Sequence, residues 1–455
     1  MPAPTCGPRA LAEAERAALA ADAVELCSRL IRFDTSNFGG GESHGERAAA
    51  EWVAAELTDA GLEPTVLESA PGRANTVVRI PGEDSAAPAL LVHGHLDVVP
   101  AEPADWSCDP FAGEVRDGSV WGRGALDMKD MDAMMLAFVR HLARGGVRPP
   151  RDIVLAFVAD EEDTGALGAG FLVDRHPDLF DGVGAAIGES GGRLVRLPGG
   201  GRLYPIAAAE RGSAWLTVAA RGTAGHGSRR STDNALVKLA AAIGRIDAHE
   251  WPVRLVPTVR ALLDGLAEHF GEPIDPTRDL GLLGDAGYLV SGTLADTLNP
   301  TMLNAGYKHN VIPSEASAAL DGRVLPGTEE EFFATVDALL GPDLTRTGEF
   351  RPPVSADHDA PDFAAMAAAL RVYDPRALVL PYCMTGGTDA KAFARIGIPG
   401  YGFVPGQTPE GFHAWNYIHG VDEHIPVESL AFGAAVLTTY LLSKPGTAAE
   451  KEATA

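Results

Sequence analysis

"DIVLAFVADEED", residues 152–163, is the stretch that indicates the fold. Its apolar part has the length and composition of a strand buried on both faces, as in the parallel sheets of α/β proteins. Similar runs stand at residues 89–94 (ALLVHG) and 182–188 (GVGAAIG), and a helical stretch at 128–146 lies between two of them. Buried strands that alternate with helices predict an α/β layer sandwich.

The pattern changes near residue 209, where strands with one polar face begin. A strand, a helix, two strands, a helix and a last strand follow one another up to residue 352. This is the order of the split βαβ, or ferredoxin-like, arrangement, so residues 209–352 are predicted to form an inserted domain with an elaboration at 250–298. The surrounding domain then consists of residues 1–208 and 353–455, with a disordered tail from about residue 444.

The composition argues against several kinds of partner. The chain has 37 basic and 62 acidic residues and a net charge of −25, which disfavours nucleic acid and anionic membranes. Its four cysteines are scattered without a CxxC pair, so neither a thiolate zinc site nor a disulfide framework is indicated. No signal peptide or spanning segment is recognised, and we therefore expect a cytoplasmic protein.

Acidic and histidine residues follow the buried strands, and one acidic residue precedes the helix between them. Ligands of open α/β sheets bind beyond the carboxyl ends of the strands, so these side chains are expected to meet at one edge. They are His95, Asp97, Asp127, Glu161, Glu162 and Glu189. Imidazole and carboxylate ligands suit zinc, cobalt or manganese, and the lack of cysteine ligands leaves the metal open for catalysis. Bound metal would also explain how four adjacent carboxylates at 160–163 are tolerated.

The spacing of these residues suggests separate roles. Adjacent residues at a strand end point in different directions, so one of Glu161 and Glu162 can ligate metal while the other faces the substrate. His95 and Asp97 lie on the same side of extended chain. Asp97 is therefore expected to accept the second ring N–H of His95 and to fix its tautomer.

Eight segments of the chain resemble, in order, the signature segments of the co-catalytic zinc aminoacylase and carboxypeptidase family. They are GHLDVVP, GRGALDMKD, DEEDTG, GES, HNVIP, DGRVLPG, GGTDAK and HGVDE. The family includes carboxypeptidase G, acetylornithine deacetylase, succinyl-diaminopimelate desuccinylase, aminoacylase and yeast carboxypeptidase S. The resemblance covers nearly the whole chain. It implies a three-layer α/β/α zinc-peptidase catalytic domain with an inserted ferredoxin-like α+β domain that serves as lid and dimerisation domain.

The resemblance also implies a metal centre with two Zn²⁺ ions per subunit, for which Co²⁺ or Mn²⁺ are alternatives. Asp127 bridges the ions, and the remaining implied ligands are His95 and Glu189 on one ion and Glu162 and His419 on the other. Glu161 is then the general base, which accepts a proton from a zinc-bridging water. The residues alone do not distinguish His419 from His413 or His424.

The implied substrate is a small molecule with a free carboxylate, either an N-acyl amino acid or a short peptide cut at its C-terminal bond. The residues that hold this carboxylate are implied to be Asn310, Arg323, Gly387 and Thr388. His226 matches a family histidine that reaches the active site of the other subunit in homodimers and stabilises the oxyanion.

The chain departs from the family pattern at three positions. It has Asp130 where the family commonly has Gly, Gly225 where it has Ala, and Trp415 where it often has Asn. The first two changes are compatible with metal binding. Trp415, four residues before His419, suggests a different substrate pocket.

Two other functions compete with metal-dependent hydrolysis. "GESGG", residues 188–192, fits the nucleophile elbow of a serine hydrolase with Ser190 at its centre, but Pro198 and a glycine run follow where that motif needs a helix. A non-catalytic metal-dependent binding protein is the other alternative. It would have no use for Glu161, an unligated carboxylate beside the metals. "GRGALD" is half of a dinucleotide fingerprint, but Asp127 stands where the third glycine belongs.

Overall fold

The computed structural model describes residues 8–444, so the predicted disordered tail lies, apart from its first residue, outside the described residues. The described chain divides into two compact units. The first unit consists of the chain up to Ala208, Ala356–Pro381 and the chain from Thr388 onward, and the second consists of Ala209–Ser355 and Tyr382–Gly387.

The strands alternate with helices over most of the chain. The strands are β1 (Asn37–Gly39), β2 (Glu42–Ser43), β3 (Thr65–Ala70), β4 (Arg73–Ile80), β5 (Ala89–His95), β6 (Glu114–Arg116), β7 (Ser119–Trp121), β8 (Ile153–Val158), β9 (Val183–Gly188), β10 (Val195–Arg196), β11 (Arg202–Glu210), β12 (Gly212–Arg221), β13 (Gly225–His226), β14 (Thr297–Ala305), β15 (Val311–Ile312), β16 (Glu315–Val324), β17 (Leu344–Arg351), β18 (Val354–Ser355), β19 (Ala377–Met384), β20 (Gly400–Gly402) and β21 (His424–Pro426). The α-helices are α1 (Glu13–Ile31), α2 (Arg47–Asp59), α3 (Lys129–Gly145), α4 (Ala169–Arg175), α5 (Ala235–Asp247), α6 (Pro257–Phe270), α7 (Gly287–Ser291), α8 (Glu329–Leu340), α9 (Pro361–Tyr373), α10 (Ala390–Ala394) and α11 (Val427–Leu441).

The main sheet of the first unit has parallel strands at its centre. Its strand order is β10-β11-β20-β9-β5-β8-β4-β3. The neighbours β20, β9, β5 and β8 run parallel, and the strands on either side of them are antiparallel. The carboxyl ends of β9, β5 and β8 therefore lie side by side at one edge of the sheet.

Both faces of this sheet are covered, which explains why its central strands are apolar throughout. Leu90 and Val92 pack into a cluster that includes residues of α1, α2, α3, α9 and α11. Leu91, on the opposite face, packs with Leu172 of α4 and Phe393 of α10. The first unit thus has helices on both sides of a sheet, and the predicted α/β fold is confirmed.

Helix α3 connects β5 to β8 across the sheet and is buried over most of its length. Asp130 and Asp132 lie in its first turn, where carboxylates interact favourably with the helix dipole. The helix ends at Gly146, which adopts the left-handed conformation that glycine accepts at such ends.

The second unit contains a four-stranded antiparallel sheet with helices on one face. The sheet order is β14-β16-β12-β17, and the elements follow along the chain as β12, α5, β14, β16, α8 and β17. Strand β12 alternates regularly, so that Ala214, Leu216 and Val218 face the core with α5 and α8. This period of two is what a sheet with one covered face requires.

The elaboration within the second unit contains α6, a 3₁₀ segment at Leu280–Ala286 and α7. The Arg211 guanidinium donates hydrogen bonds to the carbonyl oxygens of Gly292 at 2.6 Å and Ala295 at 3.0 Å, and to that of Arg323 on β16 at 2.6 Å. Arg211 thereby ties the elaboration to the sheet of its own unit.

Within residues 8–444, none of the helices combines the length and apolar character needed to cross a bilayer. The cytoplasmic location stays a prediction.

Candidate metal centre

The candidate site of the first unit lies at the carboxyl edge of the central strands. His95 is the last residue of β5, Glu161 and Glu162 follow β8, and Glu189 follows β9. Asp127 stands just before α3. The topology thus brings together side chains that are far apart in the sequence, at the edge where α/β sheets bind ligands.

Two groups of metal-ligand type share one residue at this edge. His95, Asp127 and Glu189 form one group, and Asp127, Glu162 and His419 form the other. Within each group the potential ligand atoms all lie within 4.8 Å of one another. These are the residues for which the sequence resemblance implied metal binding, in the same pairing.

Asp127 faces both groups with different oxygen atoms. Its Oδ1 lies 3.1 Å from His95 Nε2 and its Oδ2 lies 3.2 Å from His419 Nε2. Glu162 Oε2 is also 3.2 Å from His419 Nε2, and Glu189 Oε2 is 3.9 Å from His95 Nε2. Ligand atoms that bind one zinc ion tetrahedrally at its usual bond lengths are separated by about 3.3 Å. The donor atoms therefore fit a pair of metal ions bridged by Asp127.

The electrostatics of the cluster also fit a bound cation. Burial, followed by the charge of Glu189, raises the pKa of Glu161 well above its ordinary value, and burial likewise raises the pKa of Glu189. Hydrogen bonds with Asp127 and Glu162 raise the pKa of His419 to about 10. Buried carboxylates that repel one another are stabilised by nearby positive charge, which a divalent ion supplies. In addition, Glu162 Oε1 is buried and has no hydrogen-bond partner within residues 8–444.

Asp97 contacts His95 through its backbone and the end of β8 through its side chain. The ring Nδ1 of His95 lies 2.9 Å from the backbone carbonyl oxygen of Asp97 and 3.7 Å from its carboxylate. The carboxylate instead accepts hydrogen bonds from the backbone N–H groups of Glu161 and Glu162, both at 3.1 Å. Asp97 is thus placed to accept the second ring N–H of His95, as predicted, but it does so through its backbone carbonyl oxygen, because its side chain turns toward the end of β8 and holds the two glutamates.

Asp160, the first of the four adjacent carboxylates, is stabilised without a metal. Its Oδ1 accepts a hydrogen bond from Arg73 Nη2 at 2.9 Å, and Arg73 also binds Glu46 through two bonds of 2.8 Å. Asn37 donates to the Asp97 carboxylate at 2.9 Å. A buried arginine thus accounts for the tolerance of Asp160 in this acidic stretch, where the sequence had suggested bound metal.

Glu161 belongs to neither ligand group among the described residues. Its backbone is fixed by Asp97, and its carboxylate is close enough to Glu189 and His95 for their charges to influence its pKa. It is thus a carboxylate beside the two groups rather than within one of them.

The remaining predicted site residues lie in the second unit or at its boundary. His226 is exposed on β13, and its Nδ1 accepts a hydrogen bond from the backbone N–H of Ser228 at 3.1 Å. Strand β13 pairs with β15, and the carbonyl oxygen of Asn310 accepts from Gly227 N at 2.9 Å, so His226 and Asn310 stand on neighbouring segments. Arg323 on β16 makes two hydrogen bonds to Asp321, at 2.8 Å and 3.0 Å.

Gly387 and Thr388 stand where the chain returns from the second unit to the first. Thr388 is buried, and its Oγ1 accepts a hydrogen bond from Ala390 N at 3.1 Å at the start of α10.

Ser190 has one feature of a nucleophile elbow and lacks another. Its backbone is in the left-handed region with φ of 70°. The chain after it, however, forms the short strand β10 and a 3₁₀ turn instead of a helix. No side-chain hydrogen bond joins Ser190 to a histidine in the part of the chain that the structure describes.

Several buried polar residues around the centre were not assigned a role from the sequence. They are Asn37, Glu46, Arg73, Arg123, Asp160 and Glu423. Arg123, Asp160 and Glu423 lie within the quoted segments GRGALDMKD, DEEDTG and HGVDE, but these segments do not show which residues they bind. Asn37, Glu46 and Arg73 gave no signal, because their partners lie far away along the chain.

The sequence and the fold both match known proteins. Residues 91–443 match the model of peptidase family M20/M25/M40. Aminoacylase-1 of Sus scrofa is 30% identical over 395 residues, which cover 82% of this chain and 88% of that protein. An N-fatty-acyl-amino acid synthase/hydrolase of Homo sapiens is 29% identical over 373 residues, covering 77% of this chain and 73% of the relative.

A solved structure with the same fold is an M20 family metallo-carboxypeptidase from Sulfolobus solfataricus. It superposes with a TM-score of 0.70 at 17% identity and covers 93% of this chain and 99% of its own. At this identity the likeness concerns the fold alone.

Proposed function

Because the chain belongs to peptidase family M20/M25/M40 and is accordingly a hydrolase of the metallopeptidase or amidohydrolase kind, we propose that it cleaves the amide bond of an N-acyl amino acid or the C-terminal bond of a short peptide. The observation that carries this proposal is the placement of Asp127 between two ligand groups, with one carboxylate oxygen toward each histidine. The likeness to aminoacylase-1 favours N-acyl amino acids as the first substrates to test.

The proposed cofactor is a pair of zinc ions in each subunit, with cobalt or manganese as alternatives. His95, Asp127 and Glu189 would hold one ion, and Asp127, Glu162 and His419 the other. When bound, such ions lower the pKa of a water molecule and polarise the carbonyl group that is attacked.

Glu161 is the proposed general base. It lies beside both ligand groups, and Asp97 fixes its backbone. In this role its carboxylate accepts a proton from the attacking water and later donates that proton to the nitrogen of the leaving amine.

The second unit is proposed to bind substrate and to form a homodimer. Asn310 and Arg323, with Gly387 and Thr388, would hold the free carboxylate of the substrate, and His226 would stabilise the oxyanion in the site of the other subunit. Edge strand β14 exposes Met302 and Leu303, with 71% and 66% of their surfaces accessible. An edge strand with exposed apolar side chains can pair with a two-fold copy, so the unit is proposed as the lid and dimerisation domain.

The proposed function is tested with metal-free protein reconstituted with zinc. Turnover is measured by amine release from N-acyl amino acids, from dipeptides and, as a control, from the same compounds with the carboxylate converted to an amide. We expect hydrolysis only after metal addition and a clear preference for the free carboxylate. Equal activity without metal, or on the amidated controls, contradicts the proposal.

A further inference from the structure

Glu423 is a fully buried carboxylate next to the candidate metal centre and belongs to neither ligand group. It lies four residues after His419, at the end of the loop that carries this histidine. We propose that Glu423 is a positioning residue that holds the loops of Asp127 and His419 together. This arrangement would allow a metal ion to bind at the ligand group that contains His419. This inference rests on the proposed function, because it assigns a role toward the same metal pair.

The Glu423 side chain binds the loop before α3 through backbone N–H groups. Its Oε1 accepts from Leu126 N at 2.7 Å and from Asp127 N at 3.2 Å, and its Oε2 accepts from Gly124 N at 3.0 Å. A carboxylate that accepts several backbone hydrogen bonds fixes the local chain, since each bond constrains a different peptide group. The backbone of Asp127, the shared ligand, is therefore held directly by Glu423.

Arg123 completes this connection on the side of the His419 loop. Its Nη1 donates to Glu423 Oε2 at 2.7 Å, and its Nη2 donates to the carbonyl oxygen of Gly420 at 2.9 Å. Both Arg123 and Glu423 are buried. Gly420 directly follows His419, so one ion pair connects the backbones next to two proposed ligands.

The three-stranded sheet of β6, β7 and β21 leads directly into the Arg123–Glu423 contact. Strand β21 pairs antiparallel with β7, and His424 lies opposite Trp121. The next backbone bond in the series is donated by Gly122 N to the carbonyl oxygen of Glu423 at 2.9 Å. The register of this ladder fixes which residue of one loop faces which residue of the other.

The His419 loop needs such support because its ligand is not held by packing. The side chain of His419 is 52% exposed, whereas that of His95 is 1% exposed. His419 and Asp422 also have left-handed backbones, with φ of 58° and 57°. Non-glycine residues keep that conformation when their surroundings fix it. The Arg123–Glu423 contact lies beside both of them and provides this constraint.

The two ligand groups should therefore differ in their dependence on Glu423. Asp127 and His419 both belong to the group with Glu162, while the group with His95 and Glu189 contains only Asp127. Loss of the Glu423 hydrogen bonds should weaken metal binding mainly at the group that contains His419. A general loss of stability would not select one group.

The test uses Glu423→Gln in the full chain, which keeps the size of the side chain and replaces one acceptor oxygen by an NH₂ group. Metal-free wild type and variant are titrated with Co²⁺, and bound metal is followed by visible absorption and equilibrium dialysis. We expect one equivalent to bind as in the wild type and the other, held by the group that contains His419, to lose affinity about tenfold or more. Unchanged binding of both equivalents, or an equal loss at both, overturns the proposal.

Asp374→Asn provides a matched control in the same unit. Asp374 is a buried carboxylate that accepts a hydrogen bond from the Tyr204 hydroxyl at 2.8 Å and belongs to neither ligand group. This variant should lower the melting temperature and leave both cobalt affinities unchanged. A selective loss of one equivalent in this control as well would overturn the proposal, since it would show that any buried carboxylate has the same effect.

A second variant covers the outcome in which Glu423→Gln does not fold. Arg123→Lys keeps the charge but replaces the two guanidinium nitrogens that donate to Glu423 and Gly420 by a single ammonium group on a shorter side chain, so it should weaken the same equivalent by a smaller factor. Full retention of that equivalent in Arg123→Lys overturns the proposal. If wild-type protein does not bind a pair of cobalt ions, the proposed function itself fails, so the two failures are distinguishable.

Discussion

The strand ends of the first unit and the paired loops of the second unit carry the proposed chemistry in opposite ways. At the strand ends the polar groups are buried and each is fixed by others, as Asp97 is by Asn37, Glu161 and Glu162. In the second unit His226 and Asn310 are exposed, and they stand on short segments joined by a two-residue ladder. Carboxylates that are to bind a cation are held in place by burial and by hydrogen bonds to one another's segments, whereas residues that are to bind a substrate must be accessible to it.

The two regions also differ in charge. The strand ends concentrate carboxylates, in a chain of net charge −25. The segments 222–232 and 297–314, which contain β13, β14 and β15, have no Asp or Glu and include Arg229, Arg230 and Lys308. Such a distribution suits metal binding in one region and carboxylate binding in the other.

The strongest test of the buried region is Asp127→Ala. Because Asp127 faces both ligand groups, we expect this variant to lose metal from both and to be inactive. Glu162→Ala and Glu189→Ala should each mainly weaken one site. Metal analysis by mass spectrometry measures the difference, and full metal content in Asp127→Ala would refute the shared position of this residue.

Glu161→Ala separates catalysis from metal binding within the same region. Since Glu161 belongs to neither ligand group, both metals should be retained while kcat falls about 10³–10⁴-fold. Asp163→Ala, which removes a carboxylate of the same turn, is the control and should retain most activity. Near-normal turnover of a Glu161→Ala protein that has bound both metal ions would contradict the proposed role of Glu161 as general base.

His226→Ala tests the exposed region. An oxyanion donor contributes about 10²–10³-fold to kcat, so we expect a loss of this size with unchanged metal content. If the residue acts across a homodimer, mixing His226→Ala with Glu161→Ala subunits should restore activity, because one site of the hybrid has both groups. A hybrid that forms, as shown by native mass spectrometry, but stays inactive excludes action in trans.

Ser190→Ala should have the smallest effect. No helix follows Ser190 as an elbow requires, so turnover of the loaded enzyme should stay within about threefold of the wild type. Abolished activity with both metals still bound would favour the serine hydrolase instead.

The bounds of helices and strands were predicted best where an element is buried along its whole length. Strands β5 and β8 and helix α3 were predicted to within about two residues, because a strand covered on both faces is apolar throughout. The stretch GTDAKAFARIG also predicts a helix, but the structure has only the short helix α10 (Ala390–Ala394) there. The stretch has a glycine at each end and few apolar residues to bury, so the helix is only about one turn long.

Contacts between distant segments could not be predicted from the sequence. Arg73 and Asp160 are 87 residues apart, and neither residue alone indicates the other as a partner. The contact of Asp97 with His95 was predicted from their spacing of two, but the hydrogen bond of its carboxylate to Glu161 N, 64 residues away, was not. Residue types at the centre were thus readable, but the hydrogen bonds that orient them depended on the fold.

The hydrogen bond between Leu126 N and Glu423 spans 297 residues, and this separation sets an order of events during synthesis. At typical translation rates of roughly 5–20 residues per second, Leu126 leaves the peptidyl-transferase centre about 15–60 s before its acceptor is made. His95, Asp127 and Glu189 all precede the second unit, while His419 and Glu423 follow it. A nascent chain therefore holds one complete set of ligands long before the other, and its acidic strand ends have to remain soluble through that interval without their last histidine.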